Sequence, residues 1–421
     1  MMGKLSFTSK LLQIFILFGI FYVYAMFQGG FVSWFLFYGF LPLLTYMLLF
    51  LFYPISSWSV NRSLSKQLVH TGDEVQVELE IKRKIPFPLF YIVIEEFFPA
   101  SLQFKGVTNK KYKYLDNPNH LTEKRTLKKV LFPWFKRTLH LNYSLQQIPR
   151  GDHQLRAVRI KTGDPFGFIK KNHVYQVDNQ LLAYPYHRKV FITNKANSFD
   201  EGASPAYAMN MKNTNVVSGV REYAPGDRFS WIDWKTTARK NNLMTKEFEQ
   251  EKSSNVLLVL DAVDHKDMNK LAFEACVELC TSIMGYLRSK TTPFAFLSLG
   301  AEQKYYPPHR DSEGNAWINS FLAKIQPGGD VSFPAQLIEG QSRLPEGMET
   351  IIVTTQLTDK LNRTLMQFIQ RSKRIVVYVV KAQSEVNLKD KASIQQLAVR
   401  GVVVHLITET QLTKQEFEVS M

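Results

Sequence analysis

The sequence predicts a protein of three parts, in which a pair of membrane helices precedes an all-β region and an α/β region. Two uncharged apolar runs lie within residues 11–53, and apolar and polar residues alternate in short segments through residues 59–192. Strand-like and helix-like segments alternate over residues 255–421. These patterns predict a two-helix transmembrane hairpin, an immunoglobulin-like β-sandwich and a doubly wound parallel sheet, in that order.

Residues 11–53 form the predicted hairpin. The runs at 11–27 and 31–53 contain no charged residue and are separated by Gln-Gly-Gly at 28–30. Each run is close to the ~20 residues that an α-helix needs to cross the hydrocarbon core. A cleaved signal peptide has a single apolar run before a small-residue cleavage site, whereas a second run follows here. We therefore predict an integral membrane protein with two spans.

Basic residues flank the hairpin on both sides. Lys4 and Lys10 precede it, Arg62 and Lys66 follow it, and the turn between the two runs has no basic residue. The positive-inside rule places both ends of such a hairpin in the cytoplasm. We predict a cytoplasmic N-terminus over residues 1–10 and a soluble part in the cytoplasm.

The positive charge of the chain is concentrated in the predicted β domain. The net charge is +15, and residues 101–190 contain 18 Lys and Arg against 5 Asp and Glu. A basic surface of this kind suits nucleic acid or the anionic lipids of a membrane. Because the domain directly follows the hairpin, we expect contact with anionic lipid or an acidic partner rather than nucleic acid.

Residues 59–192 are the predicted basic β-sandwich. Val75, Val77, Leu79 and Ile81 alternate with polar residues, which is the period of a strand with one buried face. Further strands are predicted at 89–97, 137–145, 153–162 and 173–177. Turn-forming Pro, Gly, Asn and Asp residues between these strands favour an antiparallel arrangement.

Residues 193–254 are predicted to be a linker followed by a charged segment. The part at 194–215 has no periodicity and is rich in Asn, Ser, Ala and Gly, which predicts a surface linker or loop. The part at 219–251 packs charges of both signs around Trp231 and Trp234.

The charged segment is predicted to contain a turn, a short helix and a strand. Pro225 and Gly226 favour a tight turn. Ser230 and Asp233 have the spacing of a capping box, which predicts a helix over residues 231–240. The alternation that follows predicts an edge-like strand at 243–251.

Three interpretations of this segment are open. Asp227 and Asp233 have the composition of a catalytic carboxylate pair, and tryptophans beside arginines can stack on nucleic-acid bases. No histidine accompanies the carboxylates, however, and charges of both signs are mixed. We favour a clamp, meaning an Arg–Asp network that holds the short helix between the β domain and the α/β domain. If the pair of Arg221 and Asp227 is buried, loss of either partner is strongly destabilising.

Residues 255–421 are the predicted α/β domain. Buried strands are predicted at 255–263, 293–300, 350–357, 374–382 and 402–407. Helices are predicted at 268–289, 313–325, 359–372 and 390–399. Alternation of this kind gives right-handed crossovers and a parallel sheet. Ligands of such sheets bind beyond the carboxyl ends of the strands, which here lie near Asp261 and Thr354–Thr355.

Two stretches of the sequence resemble a bacterial family. In the first stretch, the matching positions are Arg221, Tyr223, Gly226, Asp227, Arg228, Asp233, Trp234, Ala238 and Arg239. The second stretch has an Arg-Gly turn followed by Asp-Pro-Phe-Gly, and the matching positions are Arg150, Gly151, Asp164, Pro165, Phe166 and Gly167. Both resemble the family catalogued as domain of unknown function fifty-eight, the YeaD-like membrane proteins, and the resemblance covers essentially the whole chain.

The resemblance implies a fold, a location and a partner. It implies a von Willebrand factor A-like domain at residues 255–421 of a bacterial cell membrane protein with no established enzymatic activity. Members are commonly encoded beside MoxR-type AAA+ ATPases, which implies that such an ATPase is the partner.

The residues that hold Mg²⁺ in A-type domains are largely replaced in this sequence. Those domains use D-x-S-x-S after the first strand, and here Asp261 is followed by Val263 and His265 in place of both serines. Asp264 and Asp330 offer further oxygen ligands for a different cluster with Asp261. We expect no metal and no other cofactor, and a metal-free docking surface instead.

We predict a membrane-anchored cytoplasmic scaffold or chaperone-like assembly factor that binds protein partners and is not an enzyme. The sequence contains no GxxxxGK[ST], HExxH or GxSxG motif. Two alternatives stay open. One is an enzyme of envelope metabolism that uses Asp227 and Asp233, and the other is a Mg²⁺-dependent A-type binding module.

Overall fold

The computed structural model describes residues 2–106, 109–192, 216–224, 227, 229–249, 255–266, 268–308, 312–341 and 344–419. By their contacts, the residues group into two units. The first unit is Met1–Tyr186 with Ala316–Gln326, and the second is His187–Asn315 with Pro327–Met421. The predicted linker at 194–215 lies outside the described residues.

Two apolar helices begin the first unit. Helix α1, Met2–Gln28, and helix α2, Gly30–Phe52, are separated by Gly29, whose φ of 61° is in the left-handed region that favours glycine. The segments Phe7–Gln28 and Gly30–Phe52 are long and apolar enough to cross a membrane. The prediction of two apolar helices at the N-terminus is confirmed.

The β region of the first unit consists of two sheets. Its described strands are β1 Ser59–Leu64, β2 Leu68–His70, β3 Val75–Lys82, β4 Ile92–Glu96, β5 Leu127–Leu131, β6 Thr138–Leu145, β7 Gly151–Gly163 and β8 Lys170–Tyr184. One sheet has the order β1-β3-β6 and the other has the order β2-β8-β7-β4-β5. Neighbouring strands are antiparallel except β2 and β8, which are parallel. A single hydrophobic cluster contains buried residues of both sheets.

The alternation in sequence decides which strand faces form this core. Val75, Val77, Leu79 and Ile81 of β3 are all buried, whereas the residues between them are not. The strands predicted in this region are confirmed. Strand β5 is not indicated by the sequence, because its central residues, Lys-Lys-Val, are exposed and do not alternate.

A buried ion pair joins the two sheets. Arg62 Nη2 on β1 lies 2.6 Å from Glu96 Oε1 on β4, and both side chains are 0% exposed. Arg62 Nη1 also donates to the carbonyl oxygen atoms of Leu155 and Val177, at 2.9 and 2.7 Å, and the Tyr143 hydroxyl donates to Glu96. Burial raises the pKa of Glu96, an effect that Arg62 opposes. Such partners are what a buried charge requires.

The second unit is built around a six-stranded sheet. The described strands of this unit are β9 Val190–Ile192, β10 Val216–Glu222, β11 Met244–Glu249, β12 Val256–Ala262, β13 Phe294–Gly300, β14 Lys304–Tyr306, β15 Glu349–Thr354, β16 Arg374–Val380, β17 Val402–Ile407 and β18 Phe417–Val419. Strands β12 to β17 form the six-stranded sheet. The sheet has the order β14-β13-β12-β15-β16-β17 and is parallel except for β14, which is antiparallel to β13.

Several helices pack against this sheet. The described helices that follow α2 are α3 Trp234–Lys240, α4 Lys270–Ser289, α5 Ser312–Lys324, α6 Phe333–Gly340, α7 Asp359–Phe368, α8 Leu388–Val399 and α9 Glu409–Leu412, and residues 316–324 of α5 belong to the first unit. Every residue of β12 and β13 is buried, and alternate residues of these strands pack with α6, α7 and α8 in one cluster. Helix α4 lies against β12, β15 and β16. The predicted α/β alternation is confirmed, whereas β14, α6 and α9 are too short for the sequence to indicate.

The segment at 187–192 belongs to the second unit, although the β domain is predicted to extend over 59–192. Strand β9 pairs in parallel with β18. The buried Arg188 places its Nε 2.5 Å from Oε1 of Glu278 on α4 and donates from Nη1 to the Leu412 carbonyl oxygen at 2.7 Å. A period-two pattern identifies a strand but not the sheet that it joins, because pairing depends on distant residues.

Loss of the charge on Glu278 is expected to destabilise the second unit. In Glu278→Gln the Arg188 guanidinium stays buried without a counter-charge, which costs about 3–5 kcal/mol. Hydrogen exchange of the α4 amides, measured by mass spectrometry on the detergent-solubilised protein, reports this loss as faster exchange. The matched control is Glu346→Gln, because Glu346 pairs with Arg371 at 2.8 Å on the surface, where its side chain is 70% exposed. Equal exchange rates in the two variants would contradict the prediction.

Candidate functional site

The charged segment forms a two-stranded sheet with α3 in the connection between the strands. Strands β10 and β11 pair antiparallel, with Arg221 opposite Thr245. The predicted strand at 243–251 is therefore confirmed as β11. The connection contains a 3-10 turn at Phe229–Trp231 and then α3. Gly226 and Arg228, with Pro225, lie outside the described residues.

Asp233 caps the N-terminus of α3. Its Oδ1 accepts hydrogen bonds from the backbone N–H groups of Lys235 and Thr236, both at 3.1 Å. The bond from Thr236 is the main reason that the pKa of Asp233 is below its usual value. The prediction that the helix begins at Trp231 with Ser230 as its cap is wrong, because the aspartate is the residue that satisfies the first turn.

Asp227 forms an ion pair with Arg221 at the protein surface. Arg221 Nη2 lies 2.7 Å from Asp227 Oδ1, and the Ala224 N–H donates to Asp227 Oδ2 at 3.0 Å. The hydrogen bond from Arg221 holds the pKa of Asp227 below its usual value. The Arg221 side chain remains 43% exposed. The Asp227 side chain is 12% exposed, so the pair is only partly buried and the condition for a strongly destabilising loss, a buried pair, is not met.

Of the other described residues of the motif, three are exposed and Tyr223 is half-buried. Trp234 is 68% exposed, Ala238 and Arg239 are exposed, and the Tyr223 ring lies 6.1 Å from the Phe229 ring. Helix α3 has no buried residue. Charge and an exposed indole on one short helix are features of a recognition surface rather than of a packed core.

The electrostatics of the two aspartates oppose a role as a general acid. Hydrogen bonds lower the pKa of both Asp227 and Asp233. A carboxylic acid that protonates a substrate near neutral pH needs a raised pKa, which burial or a like charge supplies. Asp227 already accepts a hydrogen bond from the Ala224 N–H group, and Asp233 accepts hydrogen bonds from the Lys235 and Thr236 N–H groups.

Asp261, at the end of β12, is satisfied by groups of the protein. The Thr354 hydroxyl, at the end of β15, donates to Asp261 Oδ2 at 2.7 Å, and the Val263 N–H donates to Oδ1 at 3.1 Å. His265 Nε2 lies 3.6 Å from Oδ2. The nearby Asp261 carboxylate is the largest cause of the raised pKa of His265. Asp261 and Thr354, expected at the carboxyl edge of the sheet, are thus brought together.

The three carboxylates considered for a metal cluster do not all meet. Asp261 is buried, whereas Asp264 and Asp330 are exposed. Across the described ranges, no group of three or more His, Cys, Asp or Glu side chains is placed to hold a metal ion. Asp330 follows Gly329, which contacts Gly300 so closely that a Cβ would lie 2.9 Å from the Gly300 carbonyl oxygen.

A recess opens beside this edge, with a volume of about 160 Å³. Its lining includes Asn269 and Thr358, the N-caps of α4 and α7. Gln356 lines it, as does Lys381, whose Nζ lies 2.8 Å from Asp390 Oδ2. The Thr355 hydroxyl is buried and has no hydrogen-bond partner in the part of the chain that the structure describes. The sequence indicates the edge but not Lys381 and Asp390, which a later crossover brings to it.

The Asp-Pro-Phe-Gly stretch forms a tight loop in the first unit. Asp164 is buried and accepts from the Ile169 and Phe166 N–H groups at 2.5 and 3.1 Å. Pro165 and Phe166 are exposed, and Gly167 has a φ of 76°. Asp164 therefore holds the loop shape, and the loop presents its aromatic residues to the surroundings.

The Arg-Gly turn of the first unit is held by hydrogen bonds from a buried arginine. Arg150 is buried and donates from Nη1 to the carbonyl oxygen atoms of Leu322 and Ile325 at 2.6 and 2.8 Å. Gly151 has a φ of 146°, and a Cβ there would lie 3.1 Å from the His153 ring. Burial lowers the pKa of His153. These residues stabilise the turn and offer no reactive group to solvent.

Comparison with known proteins places the chain in a family. A family model described as a protein of unknown function, DUF58, matches residues 219–420. The uncharacterized protein YeaD of Bacillus subtilis (strain 168) is 31% identical over 389 residues, which are 91% of each chain. The chain belongs to the DUF58 family. The charged segment and the six-stranded sheet of this DUF58 protein lie inside the matched residues.

Solved structures resemble the DUF58 chain only distantly. The PilB minor pilin of Streptococcus sanguinis is 8% identical, with a TM-score of 0.27 over 77% of this chain and 85% of its own. The CARDB domain of a Pyrococcus furiosus protein is 9% identical, with a TM-score of 0.18 over 30% of this chain and 92% of its own.

The surface position of Asp227 predicts that its loss is tolerated. In Asp227→Asn the α3 amides are expected to exchange with solvent as in the unmodified protein, because an exposed ion pair contributes little to stability. In Asp233→Ala the same amides are expected to exchange faster, because the helix loses its N-cap. Hydrogen exchange with mass spectrometry measures both, and the reverse order of effects would contradict the prediction.

The raised pKa of His265 predicts a pH dependence of stability. Because the pKa in the folded protein is above the unfolded value, the ion pair with Asp261 contributes fully below pH ~6.5. This contribution is lost as the pH rises through the folded pKa. Thermal unfolding from mildly acidic to mildly alkaline pH is expected to show a smaller fall in stability for His265→Gln than for the unmodified protein. Replacement of the exposed His70 by Gln is the control, and an identical fall in both variants would disprove the linkage.

Proposed function

We propose that this protein is a membrane-anchored scaffold whose second unit binds protein partners at the carboxyl edge of its six-stranded sheet. The proposal rests on the arrangement of polar groups at this edge. Asp261 has both oxygens occupied by protein donors, and beside it lies a polar recess whose Thr355 hydroxyl has no hydrogen-bond partner among the described residues. A satisfied carboxylate and an open polar recess favour recognition of a partner over chemistry.

We also propose a fold for each of the two units. The strand order β14-β13-β12-β15-β16-β17 with one antiparallel edge strand supports a von Willebrand factor A-like fold for the second unit. Two sheets with a common core support an immunoglobulin-like sandwich in the first. Donors on both oxygens of Asp261 favour metal-free binding over a Mg²⁺-dependent module.

The location follows from the helices and their flanks. We place α1 and α2 across a bacterial cell membrane, because both are apolar and long enough to span it. Lys4 and Lys10 lie before the two apolar runs in the sequence, and Arg62 and Lys66 lie after them. Basic residues at both ends of the helix pair favour a cytoplasmic position for both ends. The soluble part of the chain then lies in the cytoplasm.

The proposed partner is a MoxR-type AAA+ ATPase, and the support for it is the family resemblance together with the recess. An enzyme that uses Asp227 and Asp233 has less support, because hydrogen bonds lower the pKa of both carboxylates. The scaffold interpretation needs no reactive group at either position.

Affinity capture with matched variants tests this proposal. The tagged full-length protein is purified from gently solubilised membranes in the presence of ATP or ADP, and bound proteins are identified and quantified by mass spectrometry. A stoichiometric AAA+ ATPase is expected with the unmodified protein. Gln356→Arg, which fills the recess, is expected to lose it, because the added side chain excludes the partner.

The control substitution is Asn255→Arg, at an exposed position before β12 at the opposite edge of the same sheet, and it is expected to retain the ATPase. Absence of the ATPase from the unmodified protein in both nucleotides would contradict the proposed partner. Retention by Gln356→Arg would exclude the recess as the binding site.

A further inference from the structure

One end of the β region is defined by four chain connections, at 53–58, 83–91, 132–137 and 164–169. The pairing of Ser59 with Lys82 and of Lys82 with Thr138 places the first three connections at one end of the small sheet. The pairing of Ile92 with both Leu131 and Thr162 and of Gly163 with Lys170 places the last three at one end of the large sheet. We call this end the proximal end.

The proximal end is hydrogen-bonded to α1, where Lys10 Nζ donates to the Lys170 carbonyl oxygen at 3.0 Å, and to the C-terminal part of α2. The hydroxyl groups of Tyr46 and Tyr53 donate to the Pro88 and Ile85 carbonyl oxygen atoms, at 2.9 and 2.8 Å. Lys171 Nζ donates to the Leu51 carbonyl oxygen at 2.9 Å. These contacts lie at the end of the helix pair opposite the Gly29 turn. The proximal end therefore lies at the surface of a bilayer that the helices cross.

Exposed aromatic rings are concentrated on two of these connections. Their exposed fractions are 68% for Phe132, 55% for Trp134, 63% for Phe135, 55% for Phe166 and 57% for Phe168. A soluble surface rarely gathers so many large apolar side chains, whereas the interfacial layer of a bilayer favours aromatic residues.

Basic residues accompany these rings. Lys84, Lys136, Arg137 and Lys170 are exposed at the proximal end. The four connections contain one carboxylate, Asp164, which is buried. The headgroups of anionic lipids attract such a surface, at about 1 kcal/mol for each basic residue near the membrane.

The connections are held in shape by buried polar groups. The Arg83 side chain is buried and donates to the carbonyl oxygen atoms of Phe87, Trp134 and Lys136, at 2.9, 2.9 and 2.7 Å. It thereby fixes 83–91 to 132–137, while Asp164 fixes 164–169. Backbone groups that are satisfied inside the protein can approach hydrocarbon at low cost, so the rings are preorganised for insertion.

We propose that the connections 132–137 and 164–169 insert their aromatic rings into the interfacial layer of an anionic phospholipid bilayer. This inference rests on the proposed membrane anchoring by α1 and α2. The basic residues beside the rings contact the lipid headgroups. The β region is thereby attached to the membrane through its own surface as well as through the helices, and basic residues of the opposite end, such as Lys105, take no part.

Fluorescence quenching by lipid tests the proposal on the full-length protein. Single cysteines replace Phe135, Phe168, Phe35 on α2 and Asn119 at the end opposite the proximal one, and each carries an environment-sensitive dye. The native Cys276 and Cys280 are fully buried, and burial raises the pKa of both thiols, so they do not react. The protein is placed in nanodiscs of phosphatidylcholine and phosphatidylglycerol with nitroxide-labelled lipid.

Dyes at 135, 168 and 35 are expected to lose emission, and the dye at 119 is expected to keep it. Quenching at 35 with none at 135 and 168 would overturn this inference and leave the membrane anchoring intact. No quenching at 35 would overturn the anchoring itself. Lys136→Glu with Lys170→Glu is expected to reduce quenching at 135 and 168, whereas Lys113→Glu at the opposite end is not. An unchanged signal in the double variant would overturn the headgroup contact.

Discussion

The connection at residues 53–58 is the constraint on which the first unit depends. It joins the end of α2 to the start of β1 without room for a flexible spacer, so one end of the β region must lie at the helix ends. The antiparallel registers then place the connections 83–91, 132–137 and 164–169 at this same end of the β region. Hydrogen bonds from Tyr53 and Lys171 complete the attachment. A rigid attachment of this kind transmits the orientation of the helices to the sheets.

Several arginine side chains of this protein are buried and bind backbone groups instead of facing solvent. Arg62, Arg83 and Arg188 are all buried, and each binds carbonyl oxygen atoms of segments that are distant in sequence. The planar guanidinium suits this task, because it presents several donors in fixed directions. Arg62 and Arg188 are paired with the buried Glu96 and Glu278, so these two pairs leave the net charge of the surface unchanged. The buried Arg83, in contrast, counts toward the net charge of +15 without contributing to the basic surface. A count of charges along residues 101–190 does not separate the two uses.

The two family motifs differ in their physical role. In the Asp-Pro-Phe-Gly loop, the buried Asp164 stabilises a shape that exposes aromatic side chains. In the charged segment, Asp227 and Asp233 organise a turn and a helix start and leave Trp234 and Arg239 at the surface. Both motifs are therefore frameworks that present recognition residues, and neither collects the buried, mutually perturbed groups of a catalytic centre. This shared design supports the proposed scaffold function.

The sequence by itself determined the elements whose signal is local. Uncharged runs identify α1 and α2, period-two alternation identifies β3, and continuous apolar runs identify β12 and β15, because each pattern reports how a segment meets its surroundings. Only the tertiary structure decided that β9 joins β18, that Arg62 meets Glu96, that Arg221 pairs with Asp227 at the surface, and that Lys381 lines the recess beside Thr355. Apart from Arg221 and Asp227, which are six residues apart, these outcomes depend on residues that are far apart in the chain. In every case the burial of the side chains is set by packing that no local pattern contains.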